Sequence, residues 1–498
     1  MTDAPSILPG LALLPAGLAT VLIVLSRHRP ALRESWSIAA AAVQTVIAAL
    51  MIPAVLEGRQ LVWHAISLTP DVPLLLRADA LGVLFAALAS ALWIVTTVYS
   101  IGYTRALAEH SQTRYFASFA MSLFAAVGIA LAGNLLTFFL FFELLTIATY
   151  PLVIHRGTDD ALRAGRVYLL YTLGGGTALL AAVVWTGALA GHLDFEPGGI
   201  LAGTGAAPGA LWTLFVLFVV GVGVKAAIMP LHTWLPVAMI APTPVSALLH
   251  AVAVVKAGVF GLVRVVGFVF GPELLDELGA GVALAGVCAA TIVLGSLAAL
   301  PQDNLKRLLA FSTVSQLSYI PLGVALGMPA AFTGGVLHIA SHALLKITLF
   351  FCAGALHATA HVDRISEMTG IGRRMPLTMG AFAVAAFMLA GLPPGPAFVS
   401  KWHLLSGAAA AGTWWAVAAL LTSTLLNIAY FTPIVVRAFS KPAAEDHHHG
   451  SGEARPALVV PLLLTAVAGI VLGLAPDGLV DVLSLARLVT VSVLGGSG

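Results

Sequence analysis

An all-α integral membrane protein of about fourteen transmembrane helices is the fold class this sequence predicts, on three observations. Only 9% of the 498 residues are charged while 59% are hydrophobic, and mean hydropathy is +1.00; a soluble domain carries roughly a quarter charged residues. Mostly apolar stretches of 17 or more residues begin near residues 7, 36, 79, 115, 134, 164, 211, 242, 278, 304, 331, 377, 412 and 457. Each is long enough to cross a hydrocarbon layer ~30 Å thick as a helix. None shows the ten-residue alternation of lipid-facing and lumen-facing side chains that marks a membrane β-barrel.

The amino terminus lacks a basic n-region and a small-residue cleavage site, so residues 7–26 read as a retained first span. The Gly-rich stretch 196–210 and KPAAEDHHHGSGEARP, 441–456, read as loops too short for an extramembrane domain. Residues 1–498 therefore form one membrane domain: 1–114 with the first three helices, 115–270 with helices 4–8, 271–440 with helices 9–13, and 441–498 with a loop, helix 14 and a tail. The HHH run at 447–449 reads as solvated loop that holds metal only adventitiously. Cys288 and Cys352 stand singly, without CxxC or CxxCH spacing, and read as small core residues. The spread of charge over short loops forms no basic face, which argues against nucleic acid and leaves the bilayer as the surrounding partner.

Loop charges test the span count independently, because Lys and Arg crowd the cytoplasmic face. Sixteen follow odd-numbered spans, and four, Arg59, Arg77, Arg264 and Arg487, fall in even loops or the carboxyl terminus. That bias puts odd loops in the cytoplasm and both termini outside, on the periplasmic face of a bacterial inner membrane. The remaining four of the 24 basic residues, Lys225, Lys256, Lys346 and Lys401, lie inside spans.

An internal echo relates the two halves. TIATYPL, 146–152, returns as SQLSYIPL, 315–322, and the interrupted helix FVVGVGVKAAIMPLHTWLP, 218–236, returns as GLPPGPAFVSKW, 391–402. Five spans separate the copies, an odd number, so the second is inserted upside down; inverted repeats with paired broken helices point to transport. Pro230 marks one break, and Pro393 and Pro394 mark the other. Unwound backbone at membrane depth is tolerated only where it lines a hydrated cavity.

The chemistry lies in the buried charges. A Lys at mid-helix costs about 2.5–3.5 kcal/mol on insertion scales, so four cost on the order of 10–14 kcal/mol. Snorkelling or static ion pairing would account for them structurally; proton carriage would account for them functionally, since a desolvated Lys shifts readily toward neutrality. Glu143 is the single carboxylate at the middle of a span, and a Lys is its economical partner: a pair that closes holds the Lys proton and a pair that opens releases it. In LHIASHALLKITLF, His338, His342 and Lys346 recur at i, i+4 and i+8, one stripe on one helix face. HxxxH alone also suits a metal pair, but Zn²⁺ wants a third ligand and a Lys beside it opposes a dication. His250 and Lys256, six apart and about 120° around an α-helix, are expected to face different neighbours. No residue pattern asks for a cofactor.

FFELLTIATYPL around Glu143, VKAAIMPLHTWLP around Lys225, APTPVSALLHAVAVVKAGVF around His250 and Lys256, DNLKRLLAFSTVSQLSY and the HxxxHxxxK span together resemble the antiporter-like membrane subunits shared by respiratory complex I, membrane-bound hydrogenases and Mrp-type cation/proton antiporters. The resemblance covers roughly residues 79–440. It implies fourteen helices with inverted five-helix repeats in spans 4–8 and 9–13, and a proton path along a polar axis. Glu143 with Lys225 would be its coupling pair, Lys256 the middle relay and Lys401 the second broken-helix carrier. His232 is a candidate gate. The length and the Lys256 and Lys401 combination look most like the D-type subunit of Mrp antiporters, whereas PLHTWLP and APTPVSALLHA look more like the large L-type or A-type subunits.

These readings converge on a proton-translocating subunit of a larger membrane complex that catalyses no covalent chemistry itself, with other membrane subunits as partners, H⁺ as the transported ion and Na⁺ as the exchanged ion of an Mrp-type assembly. Competing readings are the proton-pumping subunit of complex I, a hydrogenase or an inorganic-carbon uptake complex, a redox subunit whose His232, His250, His338 and His342 hold haem or border a quinone, and a static scaffold.

Overall fold

The computed structural model describes residues 2–69, 72–440, 452–478 and 480–495. Thirteen helices among them are long and apolar enough to cross a membrane: α1 Leu8–Leu25, α2 Pro30–Leu56, α3 Ala80–Ala106, α4 Gln112–Ala130, α5 Leu135–Val153, α6 Asp159–Ala190, α7 Pro208–Ala226, α8 Thr243–Phe270, α9 Ala280–Ala299, α10 Leu305–Ala325, α11 Pro329–Ala360, α14 Trp414–Phe439 and α15 Pro456–Leu474. Between α11 and α14 stand the two halves of a broken span, α12 Pro376–Ala390 and α13 Pro396–Ala410. Thirteen spans and one broken span give the fourteen expected. The HHH run at 447–449 lies outside the described residues.

Local chemistry starts and stops these helices. Asp79, Asn134, Thr158 and Asn304 each accept a backbone N–H of the following turn, at Gly82, Thr137, Ala161 and Arg307, so α3, α5, α6 and α10 begin with a satisfied donor. α8 and α11 form the interior. α8 is buried throughout its apolar stretch and α11 almost throughout, whereas α1 and α2 turn Leu14, Leu18, Val43 and Leu50 outward as a lipid-facing span does.

Four details differ from expectation. Residues between the second and third spans are not plain loop: β1 Thr2–Pro5 pairs in parallel with β2 Arg59–Thr69, which pairs antiparallel with β3 Val72–Ala78. The tail beyond α15 is not featureless, since it carries a short apolar helix, α16 Val482–Leu494. Arg264 does not belong to a loop; α8 runs on to Phe270 and buries Arg264 to 2% exposure, where it pairs with Asp79 at the start of α3. Lastly, α8 is not one α-helix. Leu248–Val252 and Val265–Phe270 are π-helical, and at Ala253 the backbone leaves helical geometry (φ −111, ψ −83). The 120° separation of His250 and Lys256 presumed a regular helix, and both in fact face α11.

Candidate functional site: a buried lysine and histidine axis

Both breaks lie beside a lysine, and the geometry of each follows from its sequence. α7 ends at Ala226, Ala227 takes a left-handed conformation (φ 57), and Trp234 donates its indole N–H to the Val224 carbonyl, 2.7 Å, at the freed helix end. α8 presses against that end at Gly258, where a Cβ would sit 2.1 Å from the Ala226 nitrogen. In the second break, Gly391 (φ 111) turns the chain out of α12, and Lys401 on α13 donates to the Leu389 and Ala390 carbonyls at 3.0 and 2.9 Å. The break thus exposes the carbonyl end of α12, whose partial negative charge draws the ammonium. Pro230, Pro393 and Pro394 all lie between helices. Half-buried His232, two residues after Pro230, stands near the Phe311 ring with its Nδ1 unpartnered.

Lys225, Lys256 and Lys346 are fully buried and Lys401 is 5% exposed. Among the described residues no carboxylate lies within 4.0 Å of any of them. Lys225 donates to the Phe142 carbonyl on α5, its Nζ 3.6 Å from the centroid of the Phe142 ring. Glu143 is therefore a neighbour of Lys225 but not its ion-pair partner: the two stand apart, and Glu143 Oε1 has no hydrogen-bond partner. The carboxylate leans onto α6, where Gly176 leaves it room; a Cβ there would lie 2.5 Å from Oε1. Because the clash falls on the end of a flexible side chain, Gly176→Ala is expected to assemble normally, displace Glu143 and lower proton transport several-fold in reconstituted vesicles. An unchanged rate would mean that the placement of this carboxylate is immaterial.

The middle of the axis crosses between helices. Lys256 of α8 donates to the Ile339 carbonyl of α11, 2.9 Å, and its Nζ lies 3.1 Å from His342 Nδ1. His342 and His338 have ring centroids 6.1 Å apart, and His338 Nδ1 lies 2.8 Å from Ser400 Oγ, one residue before Lys401. The Lys401 ammonium sits 5.0 Å from the Tyr319 ring, which stacks on His338 at 5.3 Å. Lys256, His342, His338, Ser400 and Lys401 are consequently successive neighbours. Lys346 does not extend the histidine file along α11, as its spacing suggested; it turns to α10, donating to Leu309 O (3.0 Å) and to Ser312 Oγ. The His250 ring packs against Phe350 of α11, centroids 4.6 Å apart and tilted by 35°, and among the described residues both its ring nitrogens are unpartnered.

Sequence reading missed an open cavity of about 460 Å³ lined by Arg156, Lys306, Arg307, His357 and Asp363 among others. Burial pushes the Asp363 carboxyl up, but the hydrogen bond and charge of His357, with Lys306 and Arg156 nearby, leave it below the usual carboxylate range. Its members come from four distant loops and helix ends, so only DNLKR, which contributes Lys306 and Arg307, gave a local signal.

Fold and site define a multi-pass membrane protein with a file of buried protonatable side chains at two helix breaks. Residues 132–427 match the transmembrane family NADH:quinone oxidoreductase/Mrp antiporter, and the chain belongs to that family. It is 34% identical over 401 residues to the N subunit of the NADH-quinone oxidoreductase of Desulforudis audaxviator, covering 78% of this chain and 79% of that one. It is 27% identical over 463 residues to the D-type subunit of the Na(+)/H(+) antiporter of Bacillus subtilis, covering 91% and 92%. A chain in the Mrp complex from Dietzia sp. has the same fold, with a TM-score of 0.85 at 23% identity over 98% of this chain and 97% of its own.

Proposed function

We propose that this chain is a proton-translocating subunit of a multisubunit Mrp-type monovalent cation/proton antiporter, in the position of the D-type subunit, with H⁺ moving along Glu143, Lys225, Lys256, His342, His338 and Lys401. The observation that carries this reading is the set of four buried lysines held by carbonyl, hydroxyl and imidazole groups and, among the described residues, by no carboxylate within 4.0 Å. A static ion pair would show the acid; ammoniums bonded only to neutral acceptors give up a proton without leaving a buried counter-charge behind. His250 and Lys346 flank the axis, and His232 at the first break is the candidate gate. Two inverted repeats, residues 115–270 and 271–440, would place the breaks symmetrically about the membrane centre. In this arrangement both termini face the periplasm of a bacterial cell membrane, and the basic cavity around Lys306 opens to the cytoplasm. Other membrane subunits complete the complex. Na⁺ is assigned to a partner, because one mid-span acid makes a poor Na⁺ site.

The near end-to-end match to the D-type antiporter subunit, in both chains, supports the antiporter reading. The higher identity to the oxidoreductase N subunit supports a second, a proton-pumping subunit of a complex I-like assembly. A haem-binding role finds less support in the geometry: His338 and His342 stand side by side on one helix, ring centroids 6.1 Å apart, and cannot grip a porphyrin from its two faces, while Phe350 packs against the His250 ring. The complex, purified with its partners and reconstituted, decides between the first two. An imposed Na⁺ gradient should move protons in the antiporter, and quinone reduction should move them in the alternative. His342→Ala is expected to cut either flux at least ~10-fold, a barrier rise of about 1.4 kcal/mol, and full flux in that variant would remove the relay.

A further inference from the structure

We propose that Glu109, His110 and His155 form a site for a first-row divalent cation, Zn²⁺ or a chemical equivalent, outside the membrane spans and apart from the lysine axis. One ligand atom from each lies within 4.8 Å of the other two, and His155 Nε2 is 3.7 Å from Glu109 Oε2. The His110 and His155 rings lie alongside each other, centroids 4.9 Å apart. His155 is the independent sign of a ligand. It is fully buried, and among the described residues neither ring nitrogen has a hydrogen-bond partner, an arrangement that costs about 1–3 kcal/mol per group unless something binds there.

Two imidazole nitrogens and one carboxylate oxygen are borderline donors that suit Zn²⁺ or Co²⁺ better than Ca²⁺ or Mg²⁺. A tetrahedral ion with bonds of roughly 2.0–2.2 Å would draw its ligands to about 3.4 Å from one another. Exposed His110 can make the remaining movement, and its exposure leaves the fourth position to water. The connecting loop aims the two ligands: Ala108 and Ser111, on either side of Glu109 and His110, are both left-handed without being glycine (φ 50 and 48). Arg114 donates to the His155 carbonyl at 3.1 Å, holding that residue from behind. Nearby Arg114 and Arg156 oppose a dication, and the Glu109 carboxylate offsets part of that. A bound ion would staple the loop between α3 and α4 to the end of α5, the helix that carries Glu143.

The test is Co²⁺ titration of the purified, chelator-treated complex carrying Ala at His447, His448 and His449, which removes a competing run of imidazoles. One Co²⁺ per chain with tetrahedral visible absorption is expected. The variant His110→Ala, at an exposed residue, and the near-isosteric Glu109→Gln should each weaken binding at least ~10-fold, about 1.4 kcal/mol, and His155→Ala should abolish the spectrum. Absence of a tetrahedral spectrum, or unchanged affinity in His110→Ala and Glu109→Gln, overturns the site. Proton transport measured alongside keeps this outcome separate from the lysine axis.

Discussion

Lys225→Ala and Glu143→Ala are each expected to abolish transport driven by a pH gradient, with losses on the order of 100-fold, while the complex still assembles. The prediction joins a large functional effect to a small structural one, and the geometry requires both. Lys225 is fully buried and, among the described residues, has no carboxylate within 4.0 Å, so removing its ammonium breaks no close ion pair. What is lost is a hydrogen bond to the Phe142 carbonyl and a contact with the Phe142 ring, against which stands the desolvation cost of the ammonium itself. Glu143 likewise has an oxygen with no partner, so its removal breaks no network. If the two were structural glue, either variant would lower the yield of assembled complex. The measurement is proton flux in vesicles holding the reconstituted complex, normalised to assembled complex by native gel. Normal flux in either variant would remove the core of the proposed function, and loss of assembly would favour the scaffold.

Much of this was legible in the sequence because lipid imposes a strong and local rule. Twenty apolar residues in a row are visible in any window, and a Lys within them is conspicuous because it costs so much there. The breaks were legible for the same reason: Pro230 and the Gly391 to Pro396 run are local violations of helix chemistry. Features that depend on distant partners were not. Arg264 falls near where a span beginning at residue 242 should end, and only its bidentate contact with Asp79, 185 positions earlier, shows why it is inside. Glu143 leans against Gly176 of another helix, a contact that no window on its own span can show. That His250 and Lys256 both reach α11 depends on a π-helical stretch, which periodicity assuming 3.6 residues per turn cannot register. β2 and β3 escaped because a window tuned to helical spans reads a short amphipathic hairpin as loop.

Arg264→Ala is expected to destabilise the protein by about 3–5 kcal/mol, the largest stability loss foreseen for any single charged residue here. Its guanidinium donates to both oxygens of Asp79, Nη2 to Oδ1 at 2.9 Å, and lies among the rings of Phe195, Phe260 and Phe268, with centroids 5.1, 5.0 and 4.7 Å away. Asp79 also caps α3 by accepting from the Gly82 N–H at 2.8 Å. Removing the arginine therefore leaves a buried carboxylate satisfied by a single backbone donor, and the uncompensated charge dominates the cost. Asp79→Asn should cost less, since an amide oxygen still caps the helix. Arg264→Met combined with Asp79→Asn should recover most of the loss, because an apolar chain among three phenylalanines leaves no charge unpaired. Thermal unfolding of the detergent-solubilised complex, read as a double-mutant cycle, measures the coupling. If Arg264→Ala melted with the wild type, the pair would not be the tie between α3 and α8. The contrast with Lys225 is the decisive one: the same chain builds a close ion pair where α3 meets α8, and among the described residues leaves its buried lysines without a carboxylate within 4.0 Å along the proposed proton path.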